Sequence, residues 1–303
     1  MGTAMAQEHA SDEAAGAEAP AQEGAAWSES ESIGLPNRGR LRNAAELGDS
    51  AALTVKRGSE DSRWGTAEMV HMIERAAAEV ARRYPGSVLN VGDISRRRGG
   101  RTRPHRSHRA GRDVDIGFYL TDEEGAPVLA RQFVTIAPNG TGRDRRREHY
   151  RFDTPRNWAL LEALLSDPGV QVQFVLVTRH IRERLLDHAR SIEVPEDLLA
   201  RFRTVSAGRQ GSASHRSHFH VRVYCASDDR PRCVDAPPYH PWAFGDGEDT
   251  RSLTRQWVDA DGPAQRDRAR RRARRRQRAR AQARARARRQ RRARARMRAA
   301  AAP

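Results

Sequence analysis

Histidine and aspartate form two short clusters whose spacing suits a metal ion. The clusters are His105-x-x-His108 with Asp113-Val114-Asp115, and His215-x-x-His218-Phe219-His220. Imidazole nitrogens and carboxylate oxygens bind Zn²⁺, and a catalytic zinc site uses three protein ligands and leaves one position open for water. Neither an HxH nor an Asp-x-Asp is informative alone, because paired polar side chains are often only solvated. An H-x6-D element combined with a distant HxH is much more specific.

The alternation of side chains in a β-strand would bring these residues onto shared faces. In the segment 217–225, His218, His220 and Arg222 fall on one face, opposite a face of Phe and Val. The same period places Asp113 and Asp115 together. We expect the apolar faces to pack into the core and the histidine face to line a cleft, with Asp113 orienting a ligand imidazole.

The stretches GDISRRRGGRTRPHRSHRAGRDVDIGFYL and SHRSHFHVRVYC resemble the penicillin-insensitive murein endopeptidases. That family belongs to the group of zinc peptidases that includes lysostaphin-type enzymes, D-alanyl-D-alanine carboxypeptidases and the hedgehog signalling domain. The resemblance extends from about Ser32 to about Trp242. It includes RWGT at 63–66, FDTPRNW at 152–158 and the pair Cys225 and Cys233.

The resemblance implies roles for individual residues. The implied zinc ligands are His108, Asp115 and His220. His218 would sit beside the water that the metal activates, and His215 occupies a further active-site histidine position, so these two are the implied catalytic residues. His105 matches a residue that can hold a second metal in the family. The partners of that second metal do not align with this sequence, in which residues 139–150 are unusually rich in arginine.

The implied activity is the zinc-dependent hydrolysis of peptidoglycan cross-links between D-alanine and meso-diaminopimelate, without a serine nucleophile. No glutamate follows a metal histidine as in HExxH, so a histidine is the expected proton acceptor. Three alternatives stay open at this point. They are a D-alanyl-D-alanine-type carboxypeptidase on the same framework, a zinc-containing binding module without turnover, and a polyanion-binding protein.

Hydrophobic periodicity predicts the elements that position these residues. Helices are expected at 66–83, with Thr66 as N-cap and Pro85-Gly86 as the stop, and at 156–165 and 181–189. Strands are expected at 88–94, 113–120, 171–177 and 217–225. Because strands and helices do not alternate regularly, we expect an α+β fold with a central, mainly antiparallel sheet, flanking helices, a zinc site on the sheet face and disordered termini.

Charge divides the chain into three regions. The protein has 303 residues, with 56 Lys+Arg against 39 Asp+Glu and a formal net charge of +17. Nineteen arginines lie between Ala264 and Pro303, where Asp267 is the one acidic residue. The net charge of this tail therefore exceeds that of the whole chain, so the net charge of the chain is not evidence about the preceding domain. We expect a disordered acidic head at 1–33, a zinc metallopeptidase domain at 34–258 and an Arg/Ala-rich basic tail at 259–303. The tail would contact an anionic polymer, lipid or nucleic acid, or have no partner.

The expected location is the periplasm or cell envelope. The sequence has no apolar run of 18 residues and so no predicted spanning helix. A signal peptide is not visible, but Ala4-Met5-Ala6 has the small-x-small pattern of a cleavage site, which suggests that the true start lies upstream. Cys225 and Cys233 are either a disulfide of an oxidising compartment or two separate buried thiols.

Overall fold

A computed structural model of the protein describes residues 30–102, 105–207, 215–244 and 249–263. It also describes single positions of the tail, namely Asp267, Arg270, Arg271, Arg274, Arg275, Gln277, Ala279 and Gln282. These residues form a mixed α+β fold, as the sequence predicts. Its buried apolar side chains join into one cluster that runs from Leu47 to Val223.

Short strands, four α-helices and a further helical segment at 250–263 make up most of the regular structure of the described residues. The strands are β1 (Glu31–Ile33), β2 (Arg40–Arg42), β3 (Ala45–Glu46), β4 (Leu53–Val55), β5 (Trp64–Gly65), β6 (Leu89–Val91), β7 (Asp113–Gly117), β8 (Leu120–Thr121), β9 (Pro127–Val128), β10 (Thr141–Arg143), β11 (His149–Phe152), β12 (Val172–Leu176) and β13 (His218–Val223). The helices are α1 (Ala67–Arg83), α2 (Thr154–Leu165), α3 (Arg179–Ser191) and α4 (Glu196–Val205).

A five-stranded sheet, ordered β12-β13-β7-β6-β4, forms the centre of the fold. Its pairings are antiparallel except for β4 with β6, which is parallel. Three predicted strands contain β6, β12 and β13. The predicted strand 113–120 is divided into β7 and β8, because the chain leaves the central sheet after Gly117. There Phe118 packs edge-on against Phe152 and Phe219.

Helix α1 confirms the predicted helix and both of its ends. The hydroxyl of Thr66 accepts a hydrogen bond from Met69 N–H at 3.4 Å, which caps the first turn. The helix ends before Pro85 and Gly86, and Gly86 has a φ of 81° that a residue with a Cβ rarely adopts. Its apolar stripe is buried against the sheet and α2. This packing holds the sheet from behind.

Helices α2 and α3 correspond to the other two predicted helices, whereas α4 was not predicted. Asp153 caps α2 by accepting from Arg156 N–H at 3.1 Å, and Pro155 occupies the first turn. Helix α4 buries Leu198, Leu199 and Phe202. Their spacing is helical, so the signal was present in the sequence but short, since α4 has only 10 residues.

A second sheet, ordered β10-β11-β8-β9, is formed by the strands that lie between β7 and β12 in sequence. Strands β10 and β11 form an antiparallel hairpin that pairs Arg143 with His149. Sequence patterning did not predict this hairpin, because its strands are short and carry mostly polar side chains. The turn between them, 144–148, contains the arginine-rich stretch.

The N-terminal strand packs against a loop near the other end of the domain. Cys225 and Cys233 form a disulfide, which decides between the two alternatives left open by the sequence. Gly34 bridges to Cys233, and Ser32 N–H donates to Asp229 Oδ2 at 2.8 Å. The described structure therefore includes residues 31–33, which composition assigns to the acidic head. Long-range contacts of this kind leave no trace in local composition.

The C-terminal boundary and the tail are described only in part. Residues 250–263 are helical and run through position 258, where the sequence predicts the domain to end. Leu253 in this helix is buried, and Asp261 forms an ion pair with Arg38. Most of the predicted acidic head and basic tail lies outside the described residues. No helix in the described part of the chain is long and apolar enough to cross a membrane.

Candidate metal centre

Strand pairing brings the two histidine and aspartate clusters together. In the antiparallel pair β7 and β13, His220 lies opposite Asp115, Arg222 opposite Asp113 and His218 opposite Gly117. Phe219 and Val221 point to the other side and are fully buried. The face predicted from the two-residue period is therefore the face that carries the histidines.

Three ligand atoms converge at the centre of this face. His108 Nε2 is 3.2 Å from His220 Nδ1 and 3.3 Å from Asp115 Oδ1, and His220 Nδ1 is 2.9 Å from Asp115 Oδ1. Ligand atoms at zinc–nitrogen and zinc–oxygen distances of about 2.0–2.1 Å in a tetrahedron lie about 3.3 Å apart. The three atoms are therefore spaced like one face of a tetrahedral zinc site.

The hydrogen bonds on the far side of each ring decide which nitrogens carry protons. His108 Nδ1 is 3.0 Å from the carbonyl oxygen of Ile94, which can only accept, so this nitrogen must donate. His220 Nε2 likewise faces Asp113 Oδ1 at 2.9 Å. In the neutral tautomers that result, both imidazoles direct a lone pair at the same point as the Asp115 carboxylate. This is the donor arrangement that a cation requires.

The charges around His220 favour a positive charge at this point. Burial alone would lower the pKa of His220, but its hydrogen bonds to Asp113 and Asp115 raise it to about 9. Burial opposes ionisation of Asp115 too, yet His108 and His220 hold the pKa of this carboxyl well below its usual range. The same position would suit a divalent cation in place of a proton.

His108 is held in an unusual backbone conformation. Its φ is 59°, in the left-handed region that residues with a Cβ seldom occupy. The hydroxyl of Thr102 donates to the carbonyl of His108 at 3.2 Å, which helps to hold this turn. Strained backbone of this kind is found at functional sites, where the surrounding structure maintains it.

His105 lies at the edge of the same cluster and has a carboxylate partner of its own. Its Nε2 is 2.8 Å from Asp93 Oδ2, and its Nδ1 is 3.7 Å from Asp115 Oδ2. The hydrogen bond to Asp93 raises the pKa of His105. Ligand atoms of His105, His108 and Asp115 all lie within 4.8 Å of one another, so this set could also hold a metal ion.

The chain thus offers two overlapping metal-binding sets that share His108 and Asp115. The set completed by His220 is the tighter one, with separations of 2.9–3.3 Å. Asp93 was not singled out from the sequence, although it lies in the GDIS motif that opens the resembling stretch. Its position just before the loop that carries the H-x6-D element was the sign in the sequence that could have identified Asp93.

His218 and His215 lie beside the three ligands without joining them. His218 Nε2 is 3.6 Å from Asp115 Oδ1, and its Nδ1 is 3.1 Å from the hydroxyl of Ser217. The His215 ring lies 5.6 Å from that of His218 and 5.7 Å from that of His220. Burial lowers the pKa of His218 to about 4 and also lowers the pKa of His215. Both are therefore uncharged near neutral pH and able to accept a proton.

Phe133 is a residue of this site that sequence reasoning did not find. Its ring stacks on His218 with centroids 5.1 Å apart and planes inclined by 26°. It rests where Gly92 and Gly117 have no side chains, since a Cβ on either would come within 2.7 or 2.8 Å of the ring. Gly117 interrupts the branched residues of β7, which was the available sign of a close approach.

Every site residue singled out from the sequence lies in this one cluster. The residues are His105, His108, Asp113, Asp115, His215, His218 and His220. Their proximity is a structural finding, whereas their chemical roles stay predictions.

Comparison with known proteins gives a consistent result. The family model described as penicillin-insensitive murein endopeptidase matches residues 32–288. The chain is 29% identical over 221 residues to a penicillin-insensitive murein endopeptidase of Escherichia coli O157:H7, covering 72% of this chain and 73% of the relative. A protein with the same name from Shigella boydii serotype 18 has the same identity and coverage.

Proposed function

This chain belongs to the family of penicillin-insensitive murein endopeptidases, and we propose that it is a zinc metallopeptidase that cuts D-alanyl–meso-diaminopimelate cross-links in peptidoglycan. The observation that carries the proposal is the convergence of His108 Nε2, Asp115 Oδ1 and His220 Nδ1 within 3.3 Å of one another. A peptide hydrolase with this donor set has no need of a serine nucleophile.

The chemistry of the donors supports zinc over the common alternatives. Two imidazoles and one carboxylate form a mixed nitrogen and oxygen set, which zinc accepts, whereas magnesium and calcium prefer oxygen ligands throughout. Asp113 and the Ile94 carbonyl would orient the two rings. With three protein ligands, the fourth tetrahedral position would be open, as in catalytic zinc sites.

The neighbouring histidines would handle protons. When bound, zinc supplies a Lewis acid that polarises a carbonyl and lowers the pKa of water to about 7. His218 would accept the proton of the attacking water at Nε2, since the Ser217 hydroxyl can hold the other nitrogen as a donor. His215 would donate a hydrogen bond to the developing oxyanion, and His218 would pass the proton taken from the water to the leaving amine.

The same proposal assigns the protein to the periplasm or cell envelope, where this substrate lies. The disulfide Cys225–Cys233 supports an oxidising compartment.

A single assay tests the proposal. Purified cross-linked muropeptide dimers would be incubated with the full chain, with and without a chelator, and the products identified by mass spectrometry. Two monomers that form only without chelator, with activity restored by added zinc, are the expected result. Release of one free D-alanine would instead indicate a carboxypeptidase, and zinc binding without any product would indicate a binding module. Unchanged digestion after chelation would contradict zinc catalysis.

A further inference from the structure

A positively charged cleft lies next to the candidate metal centre. This cationic cleft has a volume of about 460 Å³ and is lined by Lys56, Phe133, Thr135, Arg143, Asp144 and Arg145, with Gln132 at its edge. Phe133 connects it to the metal centre, because the ring of Phe133 stacks on His218 at 5.1 Å. Lys56 Nζ lies 5.4 Å from the centre of the same ring. A cation of the cleft and the expected proton acceptor therefore contact one aromatic side chain.

The acidic residue of the cleft is occupied within its own turn. Asp144 Oδ1 accepts hydrogen bonds from Arg146 N–H at 2.8 Å and from Glu148 N–H at 3.0 Å. These bonds hold the turn between β10 and β11 and so fix the place of the arginines on either side. Asp144 thus shapes the turn, and its charge leaves the cleft with a net positive charge.

Within the described part of the chain, the three cations of the cleft form no close ion pair, in contrast to arginines such as Arg75, which pairs with Asp167 at 2.9 Å, and Arg83, which pairs with Glu162 at 2.6 Å. Among the residues that the structure describes, no carboxylate lies within 4.0 Å of the charged atoms of Lys56, Arg143 or Arg145. Clustered cations that lack partners raise the local potential for an anion.

The cleft also continues along the hairpin, so that it has room for an extended chain. Thr135 and Arg143 line a second cleft of about 590 Å³, whose walls include Pro138, His180 and Arg216. Arg143 lies where the two clefts meet. An elongated groove with cations along it suits an extended peptide that carries carboxylates better than it suits a compact ion.

We propose that the cationic cleft binds a free carboxylate of the substrate peptide, next to the scissile bond on the side of the leaving amine. The proposal rests on the proposed function. In a cross-link between D-alanine and the side-chain amine of meso-diaminopimelate, the carbon bonded to the scissile nitrogen also carries a free carboxylate. Arginine binds carboxylates through two parallel N–H···O bonds, and Lys56 adds a point charge beside Phe133.

The experiment compares two cross-linked peptides that differ only in this carboxylate, one free and one converted to the carboxamide. The zinc-loaded full chain should hydrolyse the free acid with a KM about tenfold below that of the amide, as expected when a hydrogen bond to a charged group is lost. The double variant Lys56→Gln, Arg143→Gln should abolish the difference, so that it hydrolyses the free acid and the amide with the same KM.

Arg146→Gln combined with Arg147→Gln is the matched control. It removes two positive charges from the same turn, but neither residue lines either cleft. The control should keep the wild-type preference for the free acid. A loss of preference as large as that of the double variant would mean that general charge attraction, and not the cationic cleft, selects the substrate. Equal KM values for acid and amide in the wild type would overturn the proposal directly.

A binding measurement separates this proposal from the proposed function. Calorimetric titration of the same chain with the amine-side product of each peptide, one with the free carboxylate and one with the carboxamide, needs no turnover. Tighter binding of the acid that disappears in the double variant, without hydrolysis of either peptide, would keep the carboxylate site and remove the endopeptidase. Hydrolysis without preference in either measurement would keep the endopeptidase and remove the carboxylate site.

Discussion

His220 lies directly opposite Asp115 in the pairing of β13 with β7, and His220 Nδ1 is 2.9 Å from Asp115 Oδ1. The sheet register therefore sets the distance between two candidate ligand atoms whose residues are 105 apart in sequence. A slip of one residue in this pairing would turn His220 toward the core and Phe219 toward the metal centre. The packing of Phe219 thus protects the ligand geometry.

Replacing Asp113 by asparagine tests its role in orienting His220. The carboxylate accepts from His220 Nε2 at 2.9 Å and from Arg222 Nε at 2.8 Å, so Asp113→Asn removes the charge that fixes the imidazole. We expect zinc affinity to fall by about 10–100-fold, measured by competition with a chromophoric chelator. Asp187→Asn, at an exposed residue paired with Arg190, should leave affinity unchanged. Wild-type affinity in Asp113→Asn would contradict the assigned role.

Replacing His218 or His220 by alanine should separate proton transfer from metal binding. His218→Ala is expected to lower kcat by about 10²–10⁴-fold, which is the range for loss of a general base. Its zinc content should stay that of the wild type, because His108, Asp115 and His220 are unchanged. His220→Ala should weaken zinc binding strongly, because it removes one of the three side chains of the tighter set and leaves the wider set of His105, His108 and Asp115. Metal analysis beside kinetics checks both. Loss of zinc in His218→Ala would make His218 a ligand.

A methyl group at Gly117 should disturb catalysis without touching a ligand. The added Cβ would come within 2.8 Å of the Phe133 ring, which stacks on His218. We expect Gly117→Ala to lower kcat by roughly 10–100-fold through displacement of His218, with zinc content retained. Gly48→Ala is the control, because a Cβ there meets nothing within 4 Å. An unchanged kcat would show that Phe133 does not position His218.

The ion pair of Arg112 and Asp235 should contribute strongly to stability. Arg112 is 1% exposed, and its guanidinium donates to Asp235 Oδ1 at 2.7 Å and to the Val223 carbonyl at 3.0 Å. Arg112→Met leaves the carboxylate buried with less compensation, so we expect a loss of about 3–5 kcal/mol in the free energy of unfolding, measured by urea denaturation. Arg190→Met, at an exposed pair, should cost at most about 1 kcal/mol. Equal effects would contradict this account.

Asp229 should make stability depend on pH between about 4 and 6. Burial, which outweighs the hydrogen bond from Ser32 N–H, raises the pKa of Asp229 to about 6, and the charges of Glu68 and Glu31 add to the shift while Arg112 opposes it. The folded chain holds this proton more tightly than the unfolded chain. The stability gained is therefore complete below the unfolded pKa of 3.8 and lost as pH rises through 6.

Asp229→Asn should remove that dependence, because the amide oxygen can still accept from Ser32 but does not titrate. The free energy of unfolding would be measured in urea at pH 4, 5, 6 and 7. As pH rises, the value for Asp229→Asn should increase relative to the value for the wild type. Asp228→Asn, beside it and exposed, should run parallel to the wild type. A constant difference between Asp229→Asn and wild type across this range would refute the assignment.

Local periodicity was sufficient to predict the central part of the fold and the ligand-bearing faces. The two-residue period placed His218 and His220 on one face of β13. Helix α1 begins after Thr66 and ends before Pro85-Gly86, as the sequence indicated. These features depend on neighbours in sequence. The pairing that brings Asp115 opposite His220 depends on register, which periodicity leaves undetermined.

The features that were missed depend on contacts between distant residues. Phe133 reaches His218 because Gly92 and Gly117 leave space for it, and no local pattern connects these four positions. The hairpin of β10 and β11 has too few apolar residues to show alternation. The sequence shows only that residues 139–150 are rich in arginine, and the position of these arginines beside the metal centre emerges only in the folded chain.

The contact of β1 with the disulfide loop has a consequence for how the molecule is made. Ser32 and Asp229 are 197 residues apart, and His108 and His220 are 112 apart. The chain is synthesised from its N-terminus. Neither the contact of β1 nor the metal set that includes His108 can therefore form until residues 218–235 have been made. A nascent or truncated chain that ends before this stretch would lack the contact between β1 and the disulfide loop, and it would lack His220. The same late stretch thus completes both the contact of β1 with the disulfide loop and the proposed metal set.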